Sequence, residues 1–241
     1  MSRPAITMRR ALHTDVPRLV EMNHAAYPDL VQEGVVWNAS QLHAHLERFP
    51  GGQMVACADG VIAGAISTLV LPAAFGALVP HTWMEATGGG LFATHDPGGS
   101  TLYLADVYVD PAFQGRGIGS ALYTGLRALC VSLRLGSVVA GGRLWGYAEV
   151  ADRMTVQSYV AKVLSGEMFD RVLVSQLRAG FVVRDVIPGY LDDPKSMNWA
   201  TLLEWQNPSV RRAADSAVSP AAPPRSARAD AGVSWTGPAN V

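Results

Sequence analysis

Between Val107 and Leu122 the chain runs Val-Tyr-Val-Asp-Pro-Ala-Phe-Gln-Gly-Arg-Gly-Ile-Gly-Ser-Ala-Leu, a strand-forming stretch that passes through a glycine-rich turn and opens directly into a helix. The helix is the strongest in the sequence. Ile118, Leu122, Leu126, Leu129 and Leu133 fall at spacings of 4, 4, 3 and 4, which places one apolar stripe on a helix predicted over 117–135. The first N–H groups of such a helix have no carbonyl partner, its dipole puts partial positive charge behind them, and glycines leave no Cβ in the way. A phosphate-bearing ligand is expected there.

Two glycine devices fit poorly. A nucleotide-binding P-loop needs Gly-Lys-Ser/Thr after its glycines, and here Ser120-Ala121 follows Gly119. A dinucleotide fingerprint sets its glycines straight after the strand, whereas five residues separate Val109 from Gly115.

The rest of the chain alternates strand and helix signals. A strand near Ile6 to Met8 precedes a helix running to about Tyr27, with Thr14 as candidate N-cap and Pro17 in the first turn; Ser40 is the candidate cap of a second helix. Strands Gln53–Ala58 and Val61–Leu71 flank Asp59-Gly60, a strong hairpin signal. Residues 72–100 carry no periodicity and read as a lid-like insertion. A central strand follows over Thr101–Val109, then the glycine turn and helix, then a strand Ser137–Ala140 ended by Gly141-Gly142. Helices near Thr155–Leu164 and Arg171–Ala179 and strands Phe181–Ile187 and Trp199–Trp205 complete an α/β domain over residues 1–206. Residues 207–241, with nine Ala, five Pro, five Ser and four Arg, read as a flexible tail.

Composition narrows the function classes. The net charge of −1 gives no reason to expect nucleic acid or an acidic membrane as partner, and no apolar run is long enough for a signal peptide or a spanning helix, so a cytoplasmic location is expected. Cys57 and Cys130 show no metal-ligand spacing, and the six histidines form no metal site on one element, so no metal is expected.

The strand, the Val109-Asp110-Pro111 step and the pattern filled by Gln114, Gly117 and Gly119 resemble the acyl-CoA pyrophosphate loop of the GNAT superfamily of N-acyltransferases. The strings Ala26-Tyr27-Pro28, Phe92-Ala93-Thr94-His95-Asp96-Pro97, Val139-Ala140-Gly141-Gly142-Arg143, Ala151-Asp152-Arg153-Met154, Gln176-Leu177-Arg178 and Leu203-Glu204-Trp205 look like the GNAT domain often fused to carbon–nitrogen hydrolases, here standing alone. The resemblance implies a GNAT fold, a mixed and mostly antiparallel central sheet with a splay, flanked by helices. It implies acyl transfer, by default from acetyl-CoA, to a primary amine of a small molecule by direct attack. Two alternatives stand beside it: a larger acyl group delivered by CoA or by the phosphopantetheine of an acyl carrier protein in a biosynthetic pathway, and a non-catalytic acyl-CoA-sensing or partner-binding module. Assembly is left open, with a homodimer among the options.

The same resemblance assigns candidate residues. Backbone groups at Val107 and Val109, with Tyr108 between them, face the pantetheine arm, and the segment Gln114, Gly115, Arg116, Gly117, Ile118, Gly119 and Ser120 holds the pyrophosphate. Asp106 is the candidate base, its alternative being a carboxylate bonded to backbone at the splay; Tyr103 competes, and the two share a face only if a bulge lies between them. Five residues before Gly180-Phe181, where the family commonly has its thiolate-protonating Tyr, this chain has Ser175. Tyr190 and His95 are the leading replacements, with Tyr147 and Tyr159 behind them. Arg143 is expected to clamp a carboxylate or phosphate on the acceptor, or else to pair with Asp152 or Glu149. His81, Trp83 and Gln176 are expected against the substrate.

Overall fold

A computed structural model describes residues 4–73 and 78–210. Seven strands form one sheet: β1 (Ile6–Arg10), β2 (Gln53–Ala58), β3 (Val61–Leu71), β4 (Thr101–Val109), β5 (Ser137–Arg143), β6 (Val182–Ile187) and β7 (Ala200–Gln206), in spatial order β1-β2-β3-β4-β5-β7-β6. Only β4 and β5 pair in parallel; every other neighbour is antiparallel. Asp59 and Gly60, both at positive φ, make the tight turn between β2 and β3 that their sequence signalled.

Helices α1 (Val16–Ala26) and α2 (Ala39–Arg48) and a short α3 (Trp83–Thr87) cover one face; α4 (Ile118–Ser132), α5 (Val156–Ser165) and α6 (Arg171–Arg178) lie on the other. Strand alternation feeds both cores: Leu102 and Leu104 join Ile118, Leu122 and Leu126 of α4, while Tyr103 and Tyr108 join Leu19 and Met22 of α1.

Local capping differs from the sequence expectation. Asn38, not Ser40, caps α2, accepting from the Gln41 N–H at 3.0 Å, and Gln41 Oε1 accepts from the Asn38 N–H in return. Thr14 lies in a short 3₁₀ turn ahead of α1; the Asp15 carboxylate there accepts from the Leu12 N–H and from Arg9. The body continues past residue 206, because buried Asn207 donates from its side chain to the Leu135 carbonyl and from its N–H to that of Gly136. The remainder of the expected tail, residues 211–241, lies outside the described residues.

The described part of 72–100 is not a lid. Trp83 and Phe92 are buried against Trp37 and His45, and three consecutive glycines at positive φ, Gly88 to Gly90, let the chain fold back under α2, where the Gly90 carbonyl meets a His45 ring nitrogen at 2.8 Å. Of the three, Gly89 stays exposed and Gly90 is buried against Gln41 and Trp37. Likewise β5 does not end at Gly141-Gly142. It pairs with β7 through Arg143, and the glycines are required by close approach: a Cβ on Gly141 would fall 2.1 Å from the Tyr190 ring, and one on Gly142 2.4 Å from Gln176 Oε1.

Candidate active site

The β4–β5 ladder stops at Leu104 and Ala140, although both strands run on to Val109 and Arg143. The gap that opens beyond that pair is the expected splay. A cleft of about 300 Å³ occupies it, walled by Asp106 to Val109 of β4, Gly141 and Arg143 of β5, Tyr123 of α4, and Ser175 and Gln176 of α6. Trp83 and Tyr190 line its inner end, and Gln114 its outer end, beside the glycine turn.

That turn prepares an anion site. Gly115 and Gly117 take positive φ values of 74° and 93°, and Gly117 stands at the N-cap of α4 with no side chain to occupy the helix N–H groups. A Cβ on Gly115 or Gly119 would meet nothing within 4 Å, so the N-terminus is open. A 15-residue helix with no acid in its first turn suits the pyrophosphate of a CoA thioester by its donor set.

The base candidate is placed by a bulge. Ser67 pairs with Asp106 and Thr68 with Leu104, leaving Ala105 unpaired, so Asp106 turns to the face that Tyr103 already occupies. The condition for both residues to share a face is therefore met. Asp106 accepts hydrogen bonds from Asn23 Nδ2 and the Tyr27 hydroxyl, each at 2.8 Å, and keeps one edge open to the cleft. Burial raises its carboxyl to about 6, against the lowering effect of the Tyr27 and Asn23 bonds. At neutral pH it is ionised and close to the range of an efficient proton acceptor.

A phenol faces it across the cleft. Tyr123 of α4 is buried, stands edge-on to Phe181, and lines the cleft together with Ser175. Burial raises its pKa above the ordinary tyrosine value, so it stays protonated. Ser175 stands at the position where the resemblance leads one to expect a tyrosine. α4 thus places a phenol in the cleft where α6 has none, and sequence spacing within one helix had no means of finding it.

Arg143 is not a free clamp. It donates to Asp193 at 2.7 and 2.8 Å and to Asp29 at 2.6 Å, and neither Asp152 nor Glu149 is its partner. Burial works against its charge, and the bonds to the two aspartates outweigh that and hold it protonated. With two carboxylates on one guanidinium, it orders the wall of the cleft; Arg171, stacked on Trp145 with Lys195 also over that ring, is the cation at the rim.

Other expected site residues lie elsewhere. His95 stacks on Phe49 and accepts from the Val70 N–H at 3.1 Å. Tyr159 donates to Asp170 at 2.9 Å and Tyr147 to the Met154 carbonyl at 3.2 Å, both beneath α5 and α6. None of the three lines the cleft. His81 lies behind Tyr103, and Trp83 donates its indole N–H to the Ala105 carbonyl, fixing the bulge. Gln176 lines the cleft, and its Oε1 is buried with no hydrogen-bond partner among the described residues. Arg116 lies over the Phe113 ring at the outer turn. Among the described residues no group of three or more His, Cys, Asp and Glu side chains suits a metal, and no helix is long and apolar enough to cross a membrane.

Comparisons with known proteins agree with this geometry. The family model described as "Acetyltransferase (GNAT) family" matches residues 16–146. A Bacillus subtilis protein, "Uncharacterized N-acetyltransferase YkwB", is 34% identical over 210 residues, covering 87% of this chain and 92% of that protein. The "Probable hydrolase YhcX" of the same organism is 33% identical over 84% of this chain but only 39% of its own length, consistent with a GNAT domain fused to a hydrolase. Among solved structures, the GphF GNAT-like decarboxylase in complex with isobutyryl-CoA superposes with a TM-score of 0.72 at 24% identity, covering 83% of this chain and 99% of that one. The loading GNATL domain of CurA from Lyngbya majuscula also gives 0.72, at 19% identity, covering 84% and 98%. At these identities the two structures speak for the fold.

Proposed function

The chain belongs to the acetyltransferase (GNAT) family, and from that premise we propose that it moves an acyl group from a CoA thioester to the primary amine of a small molecule by direct attack. The observation that carries this reading is the arrangement of one cleft, with an uncapped helix N-terminus at its outer end and an ionised carboxylate inside the splay. When bound, the thioester supplies an activated carbonyl and a thiol leaving group.

The chain's own residues then have three tasks. N–H groups from Gly115 to Ser120 hold the diphosphate and fix the depth of the donor, while Val107 and Val109 lie on the stretch of β4 that β5 leaves without a strand partner, where their carbonyls accept from the Tyr27 hydroxyl at 2.9 Å and from Gln114 Nε2 at 3.5 Å. Alignment of amine and thioester in this way is worth up to ~7–11 kcal/mol of barrier in favourable cases. Asp106, held by Asn23 and Tyr27, takes a proton from the amine. Tyr123, kept protonated by burial, gives a proton to the leaving sulfur.

Acetyl-CoA is the default donor. A larger acyl group is the second reading, favoured by the apolar inner wall of Leu30, Val35, Trp83, Leu104 and Leu191, which gives an alkyl chain a surface to bury against; delivery by a carrier protein belongs with it. Calorimetry with acetyl-CoA and isobutyryl-CoA, followed by thiol release against a panel of amines, tests both. Donor binding with amine-dependent thiol release is the expected result. Tight binding with no release for any amine replaces the enzyme by an acyl-CoA-sensing module, and no binding at all removes the reading.

A further inference from the structure

Three side chains from three distant segments form one hydrogen-bonded line that starts at the cleft and leaves it through the apolar core. The Tyr190 hydroxyl stands at the Gly141 backbone where the splay opens, and meets the Tyr103 hydroxyl at 2.8 Å. Tyr103 in turn meets His81 Nε2 at 3.0 Å, and His81 Nδ1 meets the Val79 carbonyl at 2.9 Å.

The direction of the line follows from its end. A carbonyl only accepts, so Nδ1 of the neutral ring carries the hydrogen and Nε2 presents its lone pair. Tyr103 therefore donates to His81, and Tyr190 donates to Tyr103. Burial raises both phenols above their ordinary values and lowers His81, against the opposing pull of the Val79 carbonyl and the Glu85 carboxylate, so every member is neutral at pH 7. His81 is itself buried, but Val79, Pro80 and Glu85 beside it are exposed, so the far end of the line lies just beneath the protein surface. Packing does not require these polar groups, since the same core surrounds them with Val139, Ile187 and Ala200.

Acyl transfer from a thioester to an ammonium leaves one proton over: the nitrogen loses two, the sulfur takes one, and one goes to solvent. Asp106 and Tyr123 account for proton transfer within the cleft, and neither provides an exit from a cleft filled by donor and acceptor. We propose that Tyr190, Tyr103 and His81 form a relay that carries this surplus proton from the acceptor nitrogen to the surface. An N–H proton passes to the Tyr190 oxygen as the Tyr190 proton moves to Tyr103 and the Tyr103 proton to His81 Nε2. The imidazolium forms beside Glu85, turns its Nε2 to water, releases there the proton it received and returns with Nδ1–H retained, which restores the starting tautomer, while the phenol hydroxyls rotate back to their first directions.

This inference rests on the acyl-transfer reading, and its test separates the two. Thiol release by the full chain is followed with acetyl-CoA and a saturating amine for the wild type, Tyr103→Phe and His81→Ala. Tyr103→Phe removes one oxygen from the middle of the line and keeps the ring. The relay predicts about 10- to 100-fold lower kcat for both variants with KM for acetyl-CoA unchanged, and recovery of His81→Ala activity, but not of Tyr103→Phe, on adding imidazole. Wild-type rates in both variants, or a His81→Ala defect that imidazole does not relieve, would overturn the relay and leave acyl transfer standing. A wild type that binds acetyl-CoA and releases no thiol with any amine overturns the reading on which the relay rests, and the relay with it.

Discussion

Two helices flank the cleft, and their N-termini are finished in opposite ways. At α6 the buried Asp170 carboxylate occupies the end of the helix: Oδ1 accepts from the N–H groups of Val172 and Leu173 at 2.9 and 3.0 Å, and Oδ2 from the Tyr159 hydroxyl and the Gly146 N–H. At α4 the cap is Gly117, with no side-chain bond and open space at Gly119. One terminus carries its own anion, the other is left for an anion from outside. On the proposed reading, this difference directs a diphosphate to a single side of the splay, and the thioester behind it toward Asp106 and Tyr123.

The largest expected effect separates chemistry from docking. Asp106→Asn is expected to lower kcat about 10²- to 10⁴-fold while calorimetric affinity for acetyl-CoA stays within a few-fold of wild type; equal losses in both would merge the two regions. The matching pH profile follows from the raised carboxyl: the ionised form accepts the proton, so activity is present above pH 6 and falls as pH drops through about 6. Gly119→Glu copies the α6 arrangement onto α4. A side chain fits there without a clash, so the expected roughly 100-fold loss of acyl-CoA affinity reports charge. Tyr123→Phe is expected to slow turnover about 10-fold with acetyl-CoA and less with a thioester of a more acidic thiol, because a better leaving group needs less protonation. The converse change, Asp170→Ala, uncaps α6 and is expected to lower stability by about 1–2 kcal/mol, read as a lower Tm, with little change in donor affinity.

The two termini also differ in how far the sequence revealed them. The α4 end was legible because its strand, glycines and apolar stripe are contiguous and each acts locally. The strand order around it followed the same local signals, down to the bounds of β2 and β3. The rest of the site is assembled across the fold. Tyr27 reaches Asp106 over 79 positions and Arg143 reaches Asp29 over 114, and no periodicity encodes such a meeting. Glycine misled in two places: at Gly90 and at Gly141-Gly142 it answers to close packing by distant residues, Gln41 in the first case and Tyr190 and Gln176 in the second, which reads in sequence as a loop or a strand end. His95 was a candidate by its neighbours in the chain, and tertiary structure turned it to Phe49 instead.

The difference between the helix ends can be observed one N–H at a time. In an amide-resolved NMR titration of the full chain with CoA, Gly117, Ile118, Gly119 and Ser120 are expected to shift strongly, with Leu173 and Gly146, already bonded to Asp170, nearly unmoved. Saturable binding that shifts Leu173 and Gly146 and leaves the four α4 amides in place would contradict this expectation.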